Sequence, residues 1–514
     1  MIPTKSVTDF KYSLMLKILT GGLFVIQISL LFIDRMPGLF NYWDGLEYHN
    51  IALYFQQDSY KENIGSYYVQ RIFVSFLLFL FSYATNTEIS EINTVIFYSL
   101  WNIFCTSISL FCYLRISEKY MLSPATKVFG FAGIFYSFFT LKMSSFYPVL
   151  LDQTAFMLGF VLLYSLLYNK IILSYFTIFL GAFTFPTILP SGLLLTVLSD
   201  KKYKKYFLSV QSHTVKYTRI IAGPLKILVP FFSSLLYLYL IYFFFESKEN
   251  AVYKFANEKI INLDEYWPSA MLSASAIFIF VYNIISLIVR KNINQIISFI
   301  HIAVSILLFL SVKLIYYSIS NQKISLGFLW FPINLIKQSI QFPLVSIASH
   351  INYYGPLIIL SIIFHKEILE LVVKKGLGWF LFFVINFGFM LLGSESRQFV
   401  FFIPFCSVIV LKLLNQKISE TFQFQKLIFH IIICLLFSKF WWIINVSGFA
   451  EKIKYLYLTS DFDNSIIQRY FIFQGPWLNF DSYTIIAYSA TGLFFLYYFL
   501  FRSSSECKEI SKNS

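Results

Sequence analysis

The chain has 514 residues, of which 58% are hydrophobic and 13% charged, and its mean hydropathy is +0.68. A soluble domain is roughly 45–50% apolar and about 25% charged, so a soluble protein of this length would lack the charge to cover its cores. The 20 Gly, 14 Pro and 5 Cys exclude collagen-like, disordered and disulfide-scaffold classes, which leaves an all-α polytopic membrane protein.

The net charge of +14 lies in short stretches between apolar runs, such as Lys201, Lys202, Lys204 and Lys205. That is the pattern of the positive-inside rule. No basic groove with interleaved aromatics is needed, and no nucleic-acid partner is expected.

In chain order, the first apolar run is 14–33, with Lys5 and Lys11 before it and Lys17 near its start. About 20 helical residues cross the hydrocarbon, and no small-residue cleavage motif follows, so this run reads as a retained anchor. The first outer loop, 34–94, follows it. Within that loop the apolar run 72–84 is too short to cross upright and reads as a dip into the outer leaflet. The run 95–114 crosses to a basic inner loop at 115–127, and 128–145 and 149–168 cross next. The run 171–198 is too long for one helix and contains Pro186 and Pro190. Proline breaks helix interiors, so two crossings are expected with a turn near those residues.

The basic stretch 200–219 lies inside under this arrangement. Further crossings are expected at 220–245, 269–289, 296–316, 354–371, 377–393, 398–414, 427–446 and 484–501. The sum is about 13 or 14 crossings with both ends inside, in two modules, 1–219 and 220–514. The outer segments 246–268, 317–353 and 447–483 are aromatic and amphipathic, the composition of helices lying along a membrane surface. A competing arrangement makes 72–84 a crossing and 171–198 a single one, but it exports 115–127 and moves Asp152 to the inner side. Cys105, Cys112, Cys406 and Cys434 sit in apolar runs and Cys507 in the tail. With no CxxC pair, neither a disulfide frame nor a zinc site is indicated.

The stretch richest in chemistry is Tyr42-Trp43-Asp44-Gly45-Leu46-Glu47-Tyr48-His49-Asn50-Ile51-Ala52. Asp44 and Glu47 are three apart and share a face on a helical turn. Beside an aromatic pair, two such acids can serve as a general base or hold a divalent cation; nothing in the sequence requires the cation. The plainer reading is an amphipathic surface helix with solvated acids and an interfacial aromatic belt.

Trp-Asp-Gly-x-x-Tyr-x-x-Ile-Ala after a first transmembrane helix resembles the first outer loop of GT-C-fold glycosyltransferases, most closely the GPI mannosyltransferase type and its bacterial relatives. The resemblance implies a GT-C-like fold over about residues 10–200 and transfer of a sugar, mannose by type of relative, from a polyprenyl-phosphate carrier. In that family the acid of this loop is catalytic, which maps to Asp44. Glu47 takes the place of a second acid at an unusual spacing. Tyr67-Tyr68-Val69-Gln70-Arg71 is similar to the family's Arg-containing segment, and Tyr147-Pro148-Val149-Leu150-Leu151-Asp152 to its second outer-loop pattern.

Farther on, Gly393-Ser394-Glu395-Ser396-Arg397 joins two crossings. The planar fork of Arg397 suits phosphate oxygens, as does that of Arg71; the plainer reading pairs Glu395 with Arg397 as a hairpin cap. Lys439, beside Trp441 and Trp442, reads as a snorkelling interfacial cation, and His350 as structural.

The expected enzyme is an inverting glycosyltransferase in a bacterial cytoplasmic membrane. It would use Asp44, Glu47 and Asp152 for chemistry, and Arg71 and Arg397 for the phosphate of a polyprenyl-phosphate-linked sugar donor. A glycan, lipid or protein would be the acceptor. The rival readings are a flippase, polymerase partner or other transporter of lipid-linked sugars, and a silent scaffold subunit.

Overall fold

The computed structural model describes residues 7–35, 44–57, 60–65, 67–198, 218–245, 266–290, 299–320, 335–421, 424–443 and 480–512. Tyr42, Trp43, the basic stretch 201–205 and, of the outer segments 246–268, 317–353 and 447–483, residues 246–265, 321–334 and 447–479 lie outside them. Among the described residues the fold is entirely helical, with no strand.

The principal helices are α1 (Val7–Ile33), α2 (Asp44–Tyr54), α3 (Phe73–Thr85), α4 (Glu91–Lys119), α5 (Pro124–Phe135), α6 (Asp152–Leu167), α7 (Ile171–Ala182), α8 (Ile188–Val197), α9 (Thr218–Phe245), α10 (Trp267–Arg290) and α11 (Phe299–Ile319). They continue with α12 (Val345–Tyr354), α13 (Pro356–Ile363), α14 (His365–Val373), α15 (Leu377–Leu392), α16 (Ile403–Thr421), α17 (Phe424–Ser438) and α18 (Phe480–Lys512).

Six of the described helices are long and apolar enough to cross a membrane: Phe10–Ile33, Glu91–Lys119, Pro224–Phe243, Trp267–Ile288, Ile300–Ile319 and Phe480–Phe501. Their outward faces carry exposed apolar side chains, among them Ile18, Val25 and Phe32 on α1, Phe232 on α9, Leu314 on α11 and Phe499 on α18. Such faces suit a lipid bilayer. Helices close their own backbone hydrogen bonds, as a bilayer requires.

Other apolar runs expected to cross are made of shorter helices, 171–198 in the two pieces expected of it and two further runs against expectation. The 171–198 run splits into α7 and α8 around Phe183–Thr187, with Pro186 in the break and Pro190 in the first turn of α8, where proline is tolerated. The 354–371 run breaks at Phe364, between α13 and α14. The 128–145 run leaves α5 at Tyr136 and restarts as a π-helical turn, Phe138–Met143, where the Ser137 side chain accepts from Thr140 N. Clean starts come from familiar caps: Ser90 accepts from Asn93 N before α4, and Ser123 from Thr126 N before α5, with Pro124 opening that helix.

Hydrogen bonds between elements sort the bundle into two ends. At one end Gly378 N donates to Leu198 O, Ser123 N to Asn415 Oδ1, Tyr168 Oη to Arg115 O and Lys375 Nζ to Tyr120 Oη. At the other end Phe73 N donates to Phe183 O, Asn102 Nδ2 to Pro148 O, and Tyr483 Oη to Pro343 O. This second end also gathers the start of α6 and the 393–399 turn. It holds the charged site described below.

The packing that joins them is close. A methyl group at Gly159, two turns along α6 from Asp152, would sit 2.5 Å from the carbonyl oxygen of Phe401. That oxygen belongs to backbone and cannot swing aside. Gly159→Ala is therefore expected to cost about 1–3 kcal/mol, read as a lower melting temperature of the purified protein, and to loosen the register between Asp152 and Arg397.

Candidate functional site

Asp44 opens α2 with Glu47 in the same turn, where acids are favoured by the helix dipole. Gly45 N donates to Tyr147 Oη at 3.0 Å, and His49 Nδ1 meets Thr94 Oγ1 at 2.8 Å. These bonds hold α2 against the 144–151 segment and α4, so this helix, with five residues buried and none exposed, is packed into the bundle rather than a solvated surface helix.

A single 3₁₀ turn, Tyr68–Arg71, delivers Arg71. Its guanidinium lies 4.6 Å from the Tyr67 ring and 5.0 Å from that of Phe185, in the α7–α8 turn. The same group approaches Asp44 Oδ2 at 3.6 Å and donates to Tyr48 Oη at 3.3 Å.

Arg397 comes from the far side of the sequence on the 3₁₀ turn Ser396–Phe399. That turn is fixed by Gln338, whose Oε1 accepts from Ser394 N and Glu395 N at 2.7 and 3.2 Å. On its other side His350 Nδ1 meets Ser396 Oγ at 2.8 Å, and Tyr354 Oη donates to Ser396 O at 2.5 Å. Arg397 Nε then donates to Asp152 Oδ2 at 2.9 Å, while Nη2 reaches Asp44 Oδ2 at 3.4 Å.

The result is a chain of alternating charge, Arg71–Asp44–Arg397–Asp152, assembled from four separate stretches. Exposure is greatest at Asp44, whose side chain is 23% exposed, and least at Asp152, at 3%. Asp44 is thus the more solvent-accessible of the two carboxylates. Burial works against the charge of Arg71, but Tyr48, Tyr67 and Asp44 outweigh it and hold the guanidinium pKa above its ordinary value. Arg397 behaves the same way, burial being overcome by Asp152, Asp44 and Glu395. Both therefore stay cationic. Burial pushes the Glu395 carboxyl above its usual range, against the pull of Arg397 and Arg71.

Two readings take a different form, the Glu395–Arg397 cap and the snorkelling Lys439. Glu395 accepts from Gln398 Nε2 at 2.6 Å, while Arg397 turns to the aspartates, so the simple hairpin cap is not what forms. Glu47 is half-buried and stands outside the ion-paired chain, its charge falling on Tyr68. His350 is buried and holds the Ser396 turn from one ring nitrogen and Met390 O from the other, a structural role. Lys439 does not snorkel outward: its Nζ donates to Asn352 Oδ1 at 2.6 Å and lies 5.4 Å from the Phe138 ring.

Sequence reasoning missed a second buried charge pair at this end. Lys142, in the π-helical turn, is fully buried and pairs with Asp34, the first residue past α1; its Nζ also donates to Trp442 O at 2.7 Å. A lone lysine within the apolar 128–145 run, with an acid just beyond a spanning helix, was the available signal. Among the described residues no group of three or more His, Cys, Asp or Glu is placed to hold a metal ion. Asp44 and Asp152 could still take part in binding a cation, but each now faces a guanidinium it would have to leave.

Fold and site together define a helical membrane protein with a desolvated carboxylate–guanidinium cluster at one end of its bundle. Comparison with protein-family models, curated proteins and solved structures found no match for the chain.

Proposed function

We propose that this protein is a membrane-embedded glycosyltransferase that moves a sugar from a polyprenyl-phosphate carrier to an acceptor hydroxyl at the end of the bundle where the four charges meet. The observation that carries the reading is the placement of Arg71 and Arg397 on either side of Asp44, the acid of the Trp-Asp-Gly stretch. A phosphate on a lipid tail approaching between exposed apolar helices would meet two guanidinium groups, whose fork geometry suits its oxygens.

The pairing also gives a sequence of events. In the resting site the arginines offset the aspartates. A bound phosphate draws the guanidiniums toward itself and leaves the Asp44 carboxylate free to accept a proton. The acceptor oxygen then attacks the anomeric carbon as its proton passes to Asp44. The bond from that carbon to the phosphate oxygen breaks, and the electron pair leaves on the polyprenyl phosphate, where Arg71 and Arg397 meet the charge. The sugar inverts. Asp152, more deeply buried, holds Arg397.

Arg115, Lys119, Lys127, Lys170, Lys374 and Lys375 cluster toward the opposite end. The positive-inside rule puts that end in the cytoplasm and the charged site on the extracytoplasmic side. The Asp34–Lys142 pair favours a carrier instead, because buried charges also mark transport pathways.

Purified protein in detergent, given radiolabelled polyprenyl-phosphate mannose and lipid or glycan acceptors, separates the two. Transfer of label without sealed compartments supports the transferase. Movement of the lipid across sealed vesicles, with no product in detergent, supports the carrier.

A further inference from the structure

Tyr353 sits near the end of α12 with no exposed surface. Its ring packs 5.7 Å from Phe138, 5.5 Å from Phe139 and 5.0 Å from Tyr354. The Tyr354 hydroxyl is satisfied by Ser396 O, whereas the Tyr353 hydroxyl has no hydrogen-bond partner. Buried polar groups are rarely left this way, because a lost partner costs stability.

Two more unpartnered atoms belong to the charged chain. Asp152 uses Oδ2 for Arg397 and leaves Oδ1 without a partner, and Arg71 uses Nη1 for Tyr48 and Asp44 and leaves Nε without one. The Phe139 ring packs on Tyr353 and also, at 5.2 Å, on Phe156, one turn along α6 from Asp152, while Tyr354 Oη bonds Ser396 O next to Arg397, so Tyr353 lies on the Asp152–Arg397 side of the bundle.

The types of these groups are informative. A carboxylate oxygen accepts, a guanidinium N–H donates, and a phenol does both. A metal cation would call for acceptors alone. A phosphate would call for donors and be repelled by Asp152. A neutral hydroxyl fits the set, donating to the carboxylate while accepting from the phenol.

We propose that Tyr353 and the unpartnered oxygen of Asp152 form a subsite that holds a hydroxyl of the transferred sugar, making Tyr353 a specificity-determining residue. This rests on the donor class proposed above. It separates the labour of the two acids: Asp44, the more exposed, faces the reacting hydroxyl, and Asp152 orients the sugar while anchoring Arg397.

The test measures binding by full-length protein in detergent, using thermal stabilisation by two kinds of probe. One is bare polyprenyl phosphate, and the other a panel of polyprenyl-phosphate hexoses of the same chain length. Wild type is expected to bind at least one sugar-bearing probe more tightly than the bare lipid. Tyr353→Phe keeps the ring and removes only the hydroxyl. It should weaken that sugar-bearing probe by about tenfold, as for loss of a hydrogen bond coupled to a charged group, with bare polyprenyl phosphate unchanged. Its melting temperature without ligand should match or exceed wild type, since an unsatisfied group is gone.

Equal binding of the sugar-bearing probe by wild type and Tyr353→Phe overturns the subsite, as does an equal loss for both probes. If no hexose improves on the bare lipid in wild type, the sugar subsite falls while the phosphate site stands. If neither kind of probe binds, the donor class itself is wrong.

Discussion

Asp44→Asn is expected to lower the rate of sugar transfer by about 10²–10⁴-fold, the range for loss of general-base help, while the protein stays folded. Asparagine keeps the shape and one acceptor oxygen, so Arg71 and Arg397 retain a neutral partner where they now meet Asp44 Oδ2 at 3.6 and 3.4 Å. The Asp44 side chain is the most exposed of the four, and ion pairs open to solvent contribute little to stability. Donor binding carries the opposite sign. Removing a negative charge beside two guanidiniums frees them for phosphate, so polyprenyl phosphate should bind Asp44→Asn as tightly as wild type or more so. Initial rates of label transfer, paired with binding of the bare lipid, check both halves. Full activity in Asp44→Asn would remove the aspartate from the chemistry, and a matching loss of donor binding would make it a binding group instead.

Lys142→Met is expected to destabilise the protein by about 3 kcal/mol or more, the usual cost of breaking a buried ion pair from one side. Asp34 and Lys142 are both fully buried, and the lysine also bonds the backbone at Trp442. The contact therefore ties together the end of α1, the π-helical turn and the residues after α17. Asp34→Asn alone should be destabilising for the same reason. The double variant, Asp34→Asn with Lys142→Met, should recover much of the loss, since a pair replaced as a unit leaves no charge stranded. Thermal melts of the three variants give the coupling directly. Simple addition of the two single losses would mean that the pair is not an energetic unit.

How far the sequence could be read depended on whether a property was local. Apolar length is local, and six of the runs chosen on that basis are helices long enough to span. The helix break at Pro186 was legible for the same reason. The breaks at Tyr136 and Phe364 were not, because the hydropathy of 128–145 and 354–371 continues across them and only packing shows where the helix stops.

At the site, Asp44, Arg71, Asp152 and Arg397 each stood out through a short motif or an unusual polar residue between apolar runs. Their convergence depends on the folding of distant turns. Arg397 meets Asp152 only because Gln338, His350 and Tyr354 hold the 394–397 backbone. Glu47 shows the limit of spacing arguments: three residues from Asp44 it shares the first turn, yet the arginines approach Asp44 and not Glu47. Tyr353 could not be singled out at all, because an unsatisfied hydroxyl exists only in three dimensions. The inward turn of Lys439 toward Asn352 was hidden likewise, since an aromatic neighbourhood looks the same at an interface and inside a bundle.

The account stands or falls on a lipid-borne phosphate meeting Arg71 and Arg397. The most direct measurement is photo-crosslinking with a polyprenyl-phosphate analogue that carries a diazirine next to the phosphate, followed by peptide mapping. Label is expected on peptides around residues 67–73 and 393–399, competed away by unlabelled polyprenyl-phosphate sugar. Label confined to the opposite end, near Lys119 and Lys375, or spread over the apolar helices without competition, would contradict it.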